Sequence, residues 1–349
     1  MTMRYTWAAA TTLVAAALAL SACSTASDQA GQSNSAGAGP SVSITQPSQL
    51  KIAYFSAGTG DSYLQAAIEA AQAEAGKLGA TLNVFDGKFD AQTQYNQIQT
   101  ALTSGKYNAF AVEPNDGNLL CNLLTKDAVD KGILVSVFNE PICDRAVKEG
   151  DQLWQPGTVT YVGGQTIGSY NQWVKSIIDA NPSGGKVAVI TGPDLNANTL
   201  VMRAAEELIK ANNKFEIVAE QTTDYSTPKA FAAAQTILQA NPGLGIFISN
   251  YSGMTRGVVQ AVNGAGKKGQ VKTYDFGGDN WSLSAVKAGD IEQTVVMLPK
   301  QETIDAIDAL ADVVSGKTVD HFIDLTKSPK LPGTAFVTAQ NVDKFTAEY

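Results

Sequence analysis

Histidine is nearly missing from this chain: one residue, His321, in 349. A serine–histidine–acid triad, a histidine-built metal site and a histidine general base away from position 321 are thereby excluded. Basic side chains are also in short supply, 25 Lys and Arg against 33 Asp and Glu, for a net charge of -8. Nucleic acid requires clustered Lys and Arg, so it is excluded as a partner. Long apolar runs are scarce as well. The only one, Trp7 to Leu20, spans about fourteen residues, short of the roughly twenty that cross a bilayer as a helix. Cysteine occurs three times, at positions 23, 121 and 143.

What is present at the N-terminus is a leader pattern. Arg4 is the only charge before position 28. A charged start, a short apolar core and small residues before a cut site read as a secretion signal over 1–22. The string Leu20-Ser21-Ala22-Cys23 resembles the bacterial lipoprotein box, which implies that the Cys23 thiol is acylated and becomes the first residue of the mature chain. An ordinary signal peptide followed by a chance cysteine is the plainer alternative. Residues 23–49 are dominated by Ser, Ala, Gly, Gln and Asn without apolar periodicity, which predicts a flexible tether. The chain is then expected outside the cell, held to the outer face of the membrane by its lipid. With Cys23 acylated, Cys121 and Cys143 remain as a pair, and an exported compartment favours a disulfide between them.

About 300 residues follow the tether, too many for one small core and suited to two domains. Short β-rich runs alternate with helical patterns. Lys51 to Phe55 reads as a strand, and Leu64, Ile68, Ala71, Ala75 and Leu78 form one helical stripe ending near Gly79. Strands are expected at 81–85, 107–112, 133–138 and 158–162, then at 186–191, 215–220, 245–250, 271–276 and 290–298, with helices between them. Continuous apolar strands alternating with helices build parallel sheets covered on both faces. The fold class is α/β, two doubly wound parallel-sheet lobes. Ligands of such sheets sit beyond the C-terminal ends of the strands, which places a solute between the lobes.

The ordered set Lys51-Ile52-Ala53-Tyr54-Phe55-Ser56, Glu113-Pro114-Asn115-Asp116, Val137-Phe138-Asn139-Glu140, Val162-Gly163-Gly164-Gln165, Phe247-Ile248-Ser249-Asn250 and Val295-Val296-Met297-Leu298-Pro299 resembles the ribose-type (type I) periplasmic binding proteins. The resemblance covers about residues 50–320. It implies a substrate-binding protein of an ABC importer that works as a monomer with permease subunits, carries no cofactor and catalyses nothing. It also implies a three-crossing hinge, near Gly163-Gly164, Leu298-Pro299 and Thr318-Val319. The first lobe would be 50–162 plus 299–318, and the second 163–298 plus 319–349.

The same resemblance nominates ligand residues. Tyr63 stands where an aromatic covers the sugar, although it also suits packing at a helix start. Asn139 and Glu140 replace the usual Asp-Arg pair, unless that loop is merely solvated. Tyr225 takes a strand-end aromatic position and Asn250 that of a contacting amide. Asp279 lies in the loop that carries a sugar-binding Asp, and Trp281 either faces the cleft or caps a helix. Met297 replaces the usual Gln, and the usual Arg of the second lobe falls near Val201. A cleft without arginine and with Glu140 suits a neutral, partly apolar or cationic solute; a polyol or modified sugar comes first.

Other motifs carry less. Gly58-Thr59-Gly60 lacks the third glycine of a dinucleotide loop and reads as a turn. Gly264-Ala265-Gly266-Lys267 follows a helix and reads as its cap. Ser226-Thr227-Pro228-Lys229 spells Ser-x-x-Lys, but no Lys-Thr-Gly accompanies it, so a serine hydrolase is the minor alternative and a helix start the plainer reading. A sensory lipoprotein that presents its bound ligand to a membrane receptor shares every feature of the transport reading.

Overall fold

The computed structural model describes residues 43–349. The first sheet holds β1 (Lys51–Ser56), β2 (Thr81–Asp86), β3 (Ala109–Val112), β4 (Leu134–Phe138) and β5 (Thr160–Gly163). The second holds β6 (Gly185–Thr191), β7 (Phe215–Thr222), β8 (Leu244–Ser249), β9 (Lys272–Gly277) and β10 (Gln293–Val296). Two short strands, β11 (Phe322–Asp324) and β12 (Phe336–Thr338), complete them. The strand orders are β11-β5-β4-β3-β1-β2 and β12-β10-β9-β8-β6-β7. Every pairing is parallel except β10 with β12.

The continuous apolar strands have a direct cause. Successive side chains point to opposite faces, and both faces are covered. In β1, Ile52 and Tyr54 pack with Ala306 and Leu310, while Ala53 and Phe55 pack with Ile98 and Leu124. In the second sheet Val187 and Val189 join one core and Ala188 and Ile190 the other.

Helices α1 (Ser62–Leu78), α2 (Ala91–Ser104), α3 (Gly117–Asn122) and α4 (Ala128–Asp130) belong to the first lobe, with a π-helical turn, Leu123–Asp127, joining the last two. The second lobe carries α5 (Ile167–Ala180), α6 (Ala197–Lys210), α7 (Thr227–Ala240), α8 (Ser252–Gly264) and α9 (Asn280–Lys287). Helix α10 (Pro299–Val314) returns to the first lobe, where Ser136 Oγ donates to the Ala306 carbonyl at 2.7 Å. The α1 stripe is closed by expected signals. Asp61 accepts from the Leu64 N–H at 2.8 Å, and Gly79 turns left-handed at φ 69°.

Two boundaries differ from the sequence expectation. The sequence places residues 319–349 in the second lobe, yet β11 pairs with β5 of the first sheet, so the third crossing lies between Asp324 and Phe336 rather than at Thr318-Val319. A three-residue edge strand has too few side chains for a readable pattern. The tether also ends sooner than residue 49. Pro47–Gln49 forms a 3-10 turn whose Gln49 carboxamide accepts from Thr45 and Gln46 N–H, both at 3.0 Å, and Ile44 packs on the first-lobe core. The Asn108 side chain clamps this entry, accepting from Lys51 N–H at 2.8 Å and donating to the Gln49 carbonyl at 2.9 Å. Cys121 and Cys143 are joined, Cα to Cα 5.1 Å, tying α3 to the loop after β4. The leader, Cys23 and most of the tether lie outside the described residues.

Candidate functional site: the interlobe cleft

Each strand order reverses once, at β1/β3 in the first sheet and at β6/β8 in the second. Loops leaving the C-terminal ends at these switch points diverge and leave a crevice. The two crevices face each other across a cavity between the lobes, the usual place for a small-molecule site. From the first lobe Asp61, Tyr63, Phe89, Glu113, Asn139 and Glu140 line it. Gln165 borders the first crossing, and Asn196, Asn198, Tyr225, Asn250, Tyr251 and Met297 come from the second lobe.

Local backbone geometry aims several of these side chains. Phe89, Asn139 and Tyr225 have φ of 52°, 58° and 65°, a left-handed conformation costly for bulky residues and characteristic of binding loops. The Tyr225 ring rests on Gly192, where a Cβ would come within 2.0 Å of the ring. Only glycine permits that approach. Gln94, fully buried, fixes the Glu113 loop by donating to the Glu113 carbonyl at 2.7 Å and accepting from Asn115 N–H at 2.7 Å.

The floor is a polar network. Asn139 Nδ2 donates to Glu113 Oε1 at 2.6 Å, Gln165 Nε2 donates to Asn139 Oδ1, and Tyr161 donates to the Asn139 carbonyl at 2.7 Å. Glu140 reaches across the cleft. Its carboxyl accepts from Asn196 Nδ2, from Ala197 N–H at 3.2 Å and from Asn198 Nδ2 at 3.4 Å, at the start of α6. Tyr225 donates to Asn196 Oδ1 at 2.5 Å. At the rim Phe89 lies 6.5 Å from the Tyr225 ring, which meets Tyr251 edge-on at 5.7 Å. The lobes are thus closed on each other.

Electrostatically the cavity is one-signed: three carboxyls line it and no Lys or Arg does. Burial pushes Glu113 up to about 7 and Glu140 up to about 8. Asp61 is raised for the same reason, and Glu302, behind the cavity and accepting from Tyr63 OH, is raised well above the usual range. Glu113 Oε2, Asn198 Oδ1 and Asn250 Oδ1 are buried without a hydrogen-bond partner. All three are acceptors belonging to residues that line the cavity.

Of the sequence-nominated residues, Tyr63, Asn139, Glu140, Tyr225, Asn250 and Met297 converge on this cavity. Asp279 and Trp281 do not. Asp279 caps α9, accepting from Ser282 N–H at 2.6 Å, and pairs with Arg256 at 3.1 Å. It borders only the outer pocket at the cleft mouth, while the Trp281 ring supports the Arg256 guanidinium at 5.0 Å. Helix capping claims the Asp279 carboxylate before a solute can. Missed altogether were Asp61, Phe89, Glu113, Gln165, Asn196, Asn198 and Tyr251. For Glu113 a signal existed: a carboxyl directly after the wholly apolar strand β3, at the end where such sheets bind.

Ser226 Oγ donates to Asp224 at 2.6 Å and Lys229 Nζ pairs with the same carboxylate at 2.7 Å, so the Ser-x-x-Lys pair is tied to an acid at a helix start. Among the described residues no three His, Cys, Asp or Glu side chains are grouped to hold a metal. His321 stacks on Trp154 at 3.7 Å, on the first lobe.

Two doubly wound lobes joined by three crossings around a closed polar cavity define a two-lobed solute-binding protein. Residues 52–318 match the family model described as a periplasmic binding protein domain, and the chain belongs to that family, in its type I form. It is 29% identical over 275 residues to the D-allose-binding periplasmic protein of Escherichia coli, covering 76% of this chain and 84% of that one. It is 24% identical over 250 residues to the ribose import binding protein of Bacillus subtilis, covering 72% and 77%. In three dimensions it resembles an ABC transporter solute-binding protein of Mycobacterium smegmatis with bound glycerol, with a TM-score of 0.73 and 25% identity over 86% of this chain and 99% of the other. The chain is a binding protein and not an enzyme.

Proposed function

We propose that this chain is the lipid-anchored substrate-binding protein of an ABC importer, taking a small hydroxylated solute into the cleft between its lobes and presenting the closed form to permease subunits. The observation that carries the reading is the trio of unpartnered acceptors, Glu113 Oε2, Asn198 Oδ1 and Asn250 Oδ1, in a closed interlobe cavity. A buried acceptor left unpaired costs about 1–3 kcal/mol, so a guest rich in donors is favoured. The relatives named for allose and ribose bring such guests to mind, as does the glycerol-bound structural neighbour. Lobes formed by 50–163 with 299–324, and by 164–298 with 336–349, would hinge at the three crossings. Cys23 would hold the assembly at the outer face of the cell membrane.

The test is thermal denaturation against a panel of sugars, polyols, cyclitols and their amino derivatives, beside mass spectrometry of what copurifies. A true ligand at a hundred times its Kd stabilises by about 2.7 kcal/mol. Asn250→Leu should abolish that gain while leaving the unliganded melt in place. No stabilisation across the panel and no copurifying molecule would overturn the proposal. For the anchor, intact mass of the membrane fraction should show acylation that Cys23→Ala removes.

A further inference from the structure

Resting on that reading of the cleft, we infer that the preferred solute carries a protonated amine among its hydroxyls, with the ammonium set against Glu113. Four features converge on it. The lining holds Asp61, Glu113 and Glu140 and no cationic side chain. The nearest arginine at the mouth, Arg256, is committed to Asp279 over the Trp281 ring. The unpartnered polar atoms of the lining are acceptors without exception, and Glu113 Oε2 belongs to a side chain only 2% exposed. The rim presents aromatic rings from both lobes, Phe89, Tyr225 and Tyr251, whose faces attract cations.

A neutral polyol answers part of this, since its hydroxyls can donate to Asn198 and Asn250. It sets no positive charge against the Glu113 and Asp61 carboxyls. Burial, with repulsion from the Asp61 carboxyl added, raises Glu113, and Glu113 in turn helps raise Glu302. An ammonium supplies three donors and a positive charge at the point where both are lacking. A sugar acid or sugar phosphate is disfavoured by the same geometry, because no lining group neutralises it. The arginines that the ribose-type pattern would place at 140 and near 201 are Glu140 and Val201 here, and Glu140 is spent on the second lobe.

The experiment is titration calorimetry of the purified full chain at pH 7 with matched pairs differing in one group: amino sugar against parent sugar, amino polyol against polyol, aminocyclitol against cyclitol, with a sugar acid as the anionic control. At least one amine should bind ten times more tightly than its hydroxyl partner. Glu113→Gln should bring that ratio to within about threefold of unity, the amine losing more affinity than its hydroxyl partner. Hydroxyl compounds binding as tightly as their amines, or an undiminished amine preference in Glu113→Gln, would overturn the inference and leave the solute-binding reading standing. Tight binding of the sugar acid would also overturn it. Binding by no member of any pair would overturn both.

Discussion

Closure of the empty cleft should depend on pH through Glu140. In the closed form this carboxyl is 4% exposed and lies against Asn196, Ala197 and Asn198. Burial lifts it from the ordinary 4.5 to about 8, even though the Ala197 N–H and Asn196 pull it down. Opening hydrates it and restores the ordinary value. Below pH 4.5 the acid is protonated in both forms, and closure is at its strongest. Between 4.5 and 8 only the open form ionises, so each pH unit weakens closure by about 1.4 kcal/mol, levelling near about 5 kcal/mol above pH 8. Glu113, raised to about 7, contributes in the same direction but only up to pH 7. The interval from pH 7 to 8 is therefore dominated by Glu140, with an expected shift of roughly fivefold toward the open form. Small-angle scattering of the unliganded protein should show its radius of gyration growing as pH rises from 5.5 to 9. Glu140→Gln keeps an oxygen to accept from Ala197 and cannot ionise, so it should be flat above pH 7. A constant radius in the wild type, or a variant that titrates like it above pH 7, would refute the reasoning.

Two further predictions concern stability. The Cys121–Cys143 link spans 22 residues, and closing a loop of that length is worth about 3 kcal/mol; the double Cys→Ser variant should lower the urea midpoint accordingly, and an unchanged midpoint would count against it. Asp275, fully buried, accepts from Thr255 and Thr294 at 2.5 Å and from Ser282 at 2.8 Å, joining α8, α9 and β10. Asp275→Ala strands these hydroxyls, and Ser252 Oγ at 3.4 Å with them, and should cost about 3–5 kcal/mol in chemical denaturation, with Asp275→Asn costing less.

Much of the site was legible because sheets of this kind bind at strand ends. Asn139, Glu140 and Asn250 each stand one or two residues past a buried apolar strand, and the structure brings all three to the cavity. Glu113 occupies the same kind of position after β3, yet in the sequence it stands out only as one residue of the Glu113-Pro114-Asn115-Asp116 string. Asp279 and Trp281 also follow a strand, yet an N-cap bond and an arginine partner hold them at the mouth. The sequence shows that a carboxyl starts a helix, but not whether its free oxygen faces a solute or a neighbouring guanidinium.

By itself, the sequence determined the alternation of buried strands and helices, the two-lobed plan, the single-signed charge and the absence of a histidine site, because each follows from residue type and short-range periodicity. Only the tertiary structure decided that β11 and β12 are strands on different sheets, that Glu140 bonds to the facing lobe, and that three acceptors remain unpaired in the cleft. Those facts depend on which groups meet across tens or hundreds of residues, and hydrogen bonding and burial act on neighbours in space, wherever they stand along the chain.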